Sequence, residues 1–107
     1  MAMYILFGVK SADIEEARGW LENLVDLPVQ ARQSDFHEKY YKFGGGAGEN
    51  MELKSWLIRD QEDEYPMEPD FPDWNLFLYV NRTSNKSRNL RAIEEDKLHF
   101  ERLRTDA

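Results

Sequence analysis

Proline removes a backbone donor and restrains the residue before it, so prolines spaced three apart let neither a helix nor an interior strand pass through. The chain has that arrangement at Pro66, Pro69 and Pro72, inside "RDQEDEYPMEPDFPDW" (Arg59 to Trp74), and only one further proline, Pro28. Whatever folds on either side must be joined by this stretch as a connection. It also holds seven carboxylates, Asp60, Glu62, Asp63, Glu64, Glu68, Asp70 and Asp73, with Tyr65, Met67, Phe71 and Trp74 set among them. A solvated connection between two strands accounts for the prolines and the charge. It does not account for the large apolar side chains, which either pack back on the core or serve a binding surface as anchors.

The formal net charge of −7 lies in one place. Residues 60–81 contain seven carboxylates and no Lys or Arg, and the rest of the chain is balanced. A field localised in this way repels nucleic acid and anionic membranes and attracts cationic surfaces. A nucleic-acid binder would carry the opposite sign. The partner expected here is a basic protein.

On either side of the segment the pattern is that of a mixed domain. "YILFGVK" has the length and residue types of a strand, and "SAD" follows with turn chemistry. Asp13 is placed to cap a helix, with Glu16 three residues on to complete a capping box. Ile14, Ala17, Leu21, Leu24 and Val25 then recur at helical spacing until Pro28 forces an end near Asp26. "VQARQSD", "KYYKFGG" and "NMELKSWLI" alternate as strands, the last with Met51, Leu53, Ser55 and Leu57 on one face. "NLFLYVN" is apolar on both faces and reads as a central strand. "SNKSRNLRAIEED" reads as a short helix capped by Ser84 that buries Leu90 and Ile93, and residues 97–104 as a closing strand through Leu98 and Phe100.

The order β-α-β-β-β-β-α-β predicts an α+β fold, a single-layer, mostly antiparallel sheet with two helices packed on one face. At 107 residues, 41% of them hydrophobic, the chain suits one domain spanning 1–107. With no cysteine, disulfides and thiolate-bound zinc are excluded. The N-terminal apolar run has no basic residues before it and is too short to span a bilayer, so a cytoplasmic location is expected.

Chemistry-bearing motifs are sparse. "FGGGAGEN", Phe43 to Asn50, has the glycines of a phosphate loop but is followed by Glu49 and a strand, with no Lys-Ser/Thr and no helix, so it reads as a hairpin loop. His37, His99 and Glu52 are residue types that bind zinc, iron or nickel, but their spacing points to no site. There is neither a Gly-x-Ser-x-Gly nor a cysteine nucleophile. No catalytic residue, metal or cofactor is expected, and the protein is read as non-enzymatic.

The run from "YILFGVKSADIEEARGWLENLVDLPVQ" to "KYYKF", joined to "MELKSWL" and "DFPDWNLFLYVN", resembles small bacterial immunity proteins of contact-dependent and polymorphic toxin systems. That resemblance implies stoichiometric neutralisation of a cognate toxin C-terminal domain, often a basic nuclease, by a protein that is a monomer or homodimer when free. The expected contacts are Asp60, Glu62, Asp63, Glu64, Glu68 and Asp70 for charge, with Tyr65 and Trp74 as desolvated anchors. The β-α-β-β-β opening is also similar to one module of the vicinal-oxygen-chelate, or glyoxalase-like, superfamily. This second resemblance implies a dimer that binds a small molecule or metal, with Glu52 as a ligand, although the first strand lacks that family's usual His.

Overall fold

The computed structural model describes residues 2–33, 39–45, 47–55, 57–60, 63–66 and 68–106, and within 57–65 the backbone alone. Among the described residues eight strands and two helices follow in the order β1 (Met3–Val9), α1 (Ile14–Leu24), β2 (Val29–Arg32), β3 (Tyr40–Phe43), β4 (Asn50–Ser55), β5 (Leu57–Asp60), β6 (Asp63–Pro66), β7 (Leu76–Thr83), α2 (Arg88–Glu95) and β8 (Phe100–Asp106). Six of the strands form one sheet ordered β2-β3-β4-β7-β1-β8, in which every pair is antiparallel. Among the described residues β5 and β6 pair with each other alone, as a separate two-stranded sheet.

The α+β architecture is the expected one, and it follows from where the apolar residues sit. Alternation along each strand puts Ile5, Phe7 and Val9, Leu76, Leu78 and Val80, Met51 and Leu53, and Tyr41 and Phe43 on one face. That face packs against Ala17 and Leu21 of α1 and Leu90 and Ile93 of α2 to form the core. β1 and β7 are buried from both sides, since Leu6 and Phe77 on the opposite face are 2% and 1% exposed. "NLFLYVN" is therefore central for the expected reason, lying between β4 and β1.

Local signals were met with four corrections. Asp13 caps α1 by accepting from the Glu15 N–H, but Glu16 accepts from the Ser11 hydroxyl instead of returning to the cap, so no capping box forms. Ser87, not Ser84, caps α2, its Oγ accepting from the Leu90 N–H at 3.1 Å, because β7 runs on to Thr83 and a turn closed by the Ser87 N–H on the Ser84 carbonyl intervenes. The strand read through "NMELKSWLI" ends at Ser55, and a second strand starts at Leu57. The closing strand forms beside β1, but it starts at Phe100; Leu98 lies in the turn before it and is 82% exposed.

β7 departs from regular pairing near its end, where the register with β1 passes from Ile5↔Val80 to Met3↔Thr83. The extra residue is accommodated by Arg82, which has φ 53°. This left-handed conformation is costly for a side chain larger than Gly. Here the Arg82 guanidinium donates to the Ala47 carbonyl at 2.8 Å, tying the bulge to the loop between β3 and β4.

Candidate partner-binding surface

The proline-rich stretch is two structures joined end to end. Its first part is the β5–β6 hairpin, with register Leu57↔Pro66, Ile58↔Tyr65, Arg59↔Glu64 and Asp60↔Asp63. The expected loop is thus a ribbon up to Pro66, whose missing N–H is tolerated because β6 is an edge strand of a two-stranded sheet. Asp60, Asp63, Glu64 and Tyr65 belong to this ribbon by their backbone, while their side chains, and Glu62 entirely, lie outside the described residues.

The second part is a pair of linked turns. The Phe71 N–H donates to the Glu68 carbonyl at 3.0 Å, and the Trp74 N–H to the Phe71 carbonyl at 3.4 Å. Pro69 and Pro72 each fall at the second position of a turn, followed by Asp70 and Asp73. Proline pre-sets φ at that position, and among the described residues only Arg82 and Gly44 have positive φ, so both turns are of type I. "EPDF" and "FPDW" are two copies of one turn sharing Phe71. Pro69 and Pro72 thus form turns as well as interrupting strands.

These turns carry the chain back across the sheet face opposite the helices. A Cβ built on Gly8 would lie 2.4 Å from Cδ2 of Trp74, so the indole rests directly on the Gly8 backbone. Trp74 is half-buried there, over the same face as Leu6 and Phe77. Glu68 anchors the other end. Its Oε2 accepts from the Tyr79 hydroxyl at 2.7 Å and its Oε1 from Arg104 Nη1 at 2.9 Å, and its side chain is 13% exposed. Burial pushes the Tyr79 hydroxyl well above its ordinary value of 10.0, and the hydrogen bond to Glu68 pushes it further, so Tyr79 remains a donor throughout the physiological range.

Two of the expected contact residues are therefore engaged inside the fold: Trp74 packs on Gly8, and Glu68 is held by Tyr79 and Arg104. Asp70 is exposed in the first turn. Gly8, Tyr79 and Arg104 were not singled out in the sequence. A glycine inside the apolar strand "YILFGVK" is the one signal that could have indicated a close approach at that position. Replacing Gly8 with Ala should displace the indole and cost about 1–3 kcal/mol, the scale of overpacking a filled site. Unfolding in denaturant tests this, and a variant as stable as the parent would remove Trp74 from the sheet face.

The imagined metal ligands are not brought together. Glu52 lies on the face away from the helices, 3.1 Å from Lys54 Nζ, with Asn81 Nδ2 at 3.4 Å. The Lys54 ammonium also sits 4.9 Å from the Tyr40 ring centre. His99 is on the helix side, its ring stacked 3.8 Å from that of Trp20 and its Nδ1 2.8 Å from Asp96 Oδ2. His37 lies outside the described residues, and among those described no three His, Cys, Asp or Glu side chains cluster as a metal would need.

The glycine loop delivers an anion where a phosphate loop would receive one. Glu49 Oε2 accepts from the Thr83 hydroxyl at 2.6 Å and from the hydroxyl of Ser87, the α2 cap, while Oε1 accepts from Asn89 Nδ2 at 3.0 Å. The loop, α2 and the end of β7 thus meet at one carboxylate, and Asn89 Oδ1 in turn accepts from the Asp26 N–H, just beyond α1, at 2.9 Å. A negative side chain at a helix N-terminus also suits the helix dipole.

No family model matches the chain, and no curated protein or solved structure matches it either. Among the described residues no helix is long and apolar enough to cross a membrane.

Proposed function

We propose that this domain acts by stoichiometric binding of a basic protein, as an immunity-type protein that neutralises a cognate toxin domain in the cytoplasm. The observation that carries the reading is the placement of the charge. The carboxylate-rich stretch that holds the whole net charge begins as a two-stranded ribbon outside the six-stranded sheet. Its register sets Asp60 opposite Asp63, a like-charge pairing that disfavours the hairpin on its own. Cations from a partner would relieve that repulsion on docking.

In this reading Asp60, Glu62, Asp63, Glu64 and Asp70 steer the encounter and pair with Lys or Arg, and Tyr65 supplies desolvated contact. Glu68 and Trp74 act from behind the surface. The glyoxalase-like alternative gains no support from Glu52 and His99, which occupy opposite sides of the sheet.

The test is stopped-flow association with a basic toxin C-terminal domain, comparing the parent with a triple variant, Glu62→Gln, Asp63→Asn and Glu64→Gln. Loss of steering should slow association by about tenfold or more and flatten its dependence on salt. Thermal stability should hold or rise, since self-repulsion falls. A triple variant that associates as fast as the parent would reduce the hairpin to a solvated connection.

A further inference from the structure

We infer that Glu68, Tyr79 and Arg104 form a clamp that positions the acidic hairpin for docking; the docking half of this inference rests on the function proposed above. Residues 56–75 are an excursion that leaves and rejoins the sheet on one rung, because Ser55, the last residue of β4, pairs with Leu76, the first of β7. Among the described residues the hairpin has no ladder partner in the main sheet. The described tie nearest the end of the hairpin is at Glu68, which follows Pro66 by two residues.

At that point the chain is gripped from two strands of the sheet. Tyr79 of β7 and Arg104 of β8 donate to separate oxygens of the one carboxylate, at 2.7 and 2.9 Å. These strands flank β1, so the grip spans three strands. Beyond Glu68 the two proline turns leave little slack before Trp74 is seated on Gly8. Such an arrangement lowers the ordering cost of binding by fixing the ribbon beforehand. Glu68 is a positioning residue in this account, acting on a partner through the hairpin behind which it sits.

The absence of cysteine permits a clean test. Spin labels on Arg59→Cys, in β5, and Asn23→Cys, on α1, report their separation in the free protein by pulsed electron resonance. Glu68→Gln and Tyr79→Phe are each expected to broaden that distribution and shift its maximum while α1 and the sheet keep their circular dichroism. Tyr79→Phe removes only a hydroxyl and serves if Glu68→Gln fails to fold. An unchanged distribution in the folded variants overturns the clamp, as does a lowered melting temperature with no change in distance, which would mark a merely structural contact. With the basic partner, dissociation should quicken about tenfold, the equivalent of one lost hydrogen bond to a charged group. Broadened distances with unchanged dissociation would support the clamp and overturn its docking role.

Discussion

Replacing Leu21 with Ala is expected to lower stability by about 2–5 kcal/mol, the range for deleting a large apolar side chain from a core that cannot collapse around the gap. Leu21 is 0% exposed. It lies on the same stripe of α1 as Ala17, also 0% exposed, and faces the most apolar part of the sheet. α1 is a helix of 11 residues, too short to persist on its own, so its place depends on this buried stripe. Denaturant unfolding should show a lower midpoint with an unchanged slope. Asn23→Ala, two residues on at an exposed position, should change stability by no more than about 0.5 kcal/mol. If Leu21→Ala lost as little as Asn23→Ala, then α1 would not be packed on the sheet as described.

What the sequence disclosed was set by the period of its apolar residues. α1 is legible because Ala17 and Leu21 recur at four-residue spacing, and β7 because "NLFLYVN" admits no polar face. The same pattern carried more than was read from it. A strand buried on both sides requires two covering layers, and the helices supply only one. The second is the "EPDF" and "FPDW" turns, whose Trp74 needs a residue without a side chain beneath it and finds Gly8. Each turn is legible from its Pro-Asp pair. Their contact with a glycine 66 residues earlier in the chain is a matter of tertiary placement, which no local spacing encodes.

The capping errors have the same origin. Ser84 and Ser87 are chemically alike and both precede α2, and which one caps depends on how far β7 runs before the chain turns. Glu16 has the right spacing for a box with Asp13, but the Ser11 hydroxyl competes for its carboxylate. In the acidic segment, charge and composition read alike for a loop and a ribbon. The Asp60↔Asp63 pairing runs against what an isolated hairpin prefers, so local propensity was a poor guide there.

Glu49 is the residue whose role was least legible, and its removal should have an effect comparable with that of Leu21. It lies in a glycine-rich loop, where a carboxylate would ordinarily be a surface charge. Here it accepts from Thr83, Ser87 and Asn89, and Thr83 is 2% exposed, so its hydroxyl cannot turn to water when the acceptor is lost. Glu49→Ala should cost about 2–4 kcal/mol, since hydrogen bonds to a charged group contribute roughly 1.5–3 kcal/mol each and do not add fully. The pH dependence separates the charge from the packing. Burial pushes the Glu49 carboxyl up, but the Ser87 and Thr83 hydroxyls and the Asn89 amide together hold it below its ordinary value of 4.5. A folded value below the unfolded one means that the stabilisation is fully present above about 4.5 and fades as pH falls through the depressed folded value. The stability gap between the parent and Glu49→Gln should therefore be constant near neutrality and narrow in acid. Urea unfolding at a series of pH values, from neutral down through the carboxylate range, measures that gap. A gap that stays the same throughout would show that Glu49 acts by shape alone, and the carboxylate would lose its place as the junction of the loop, β7 and α2.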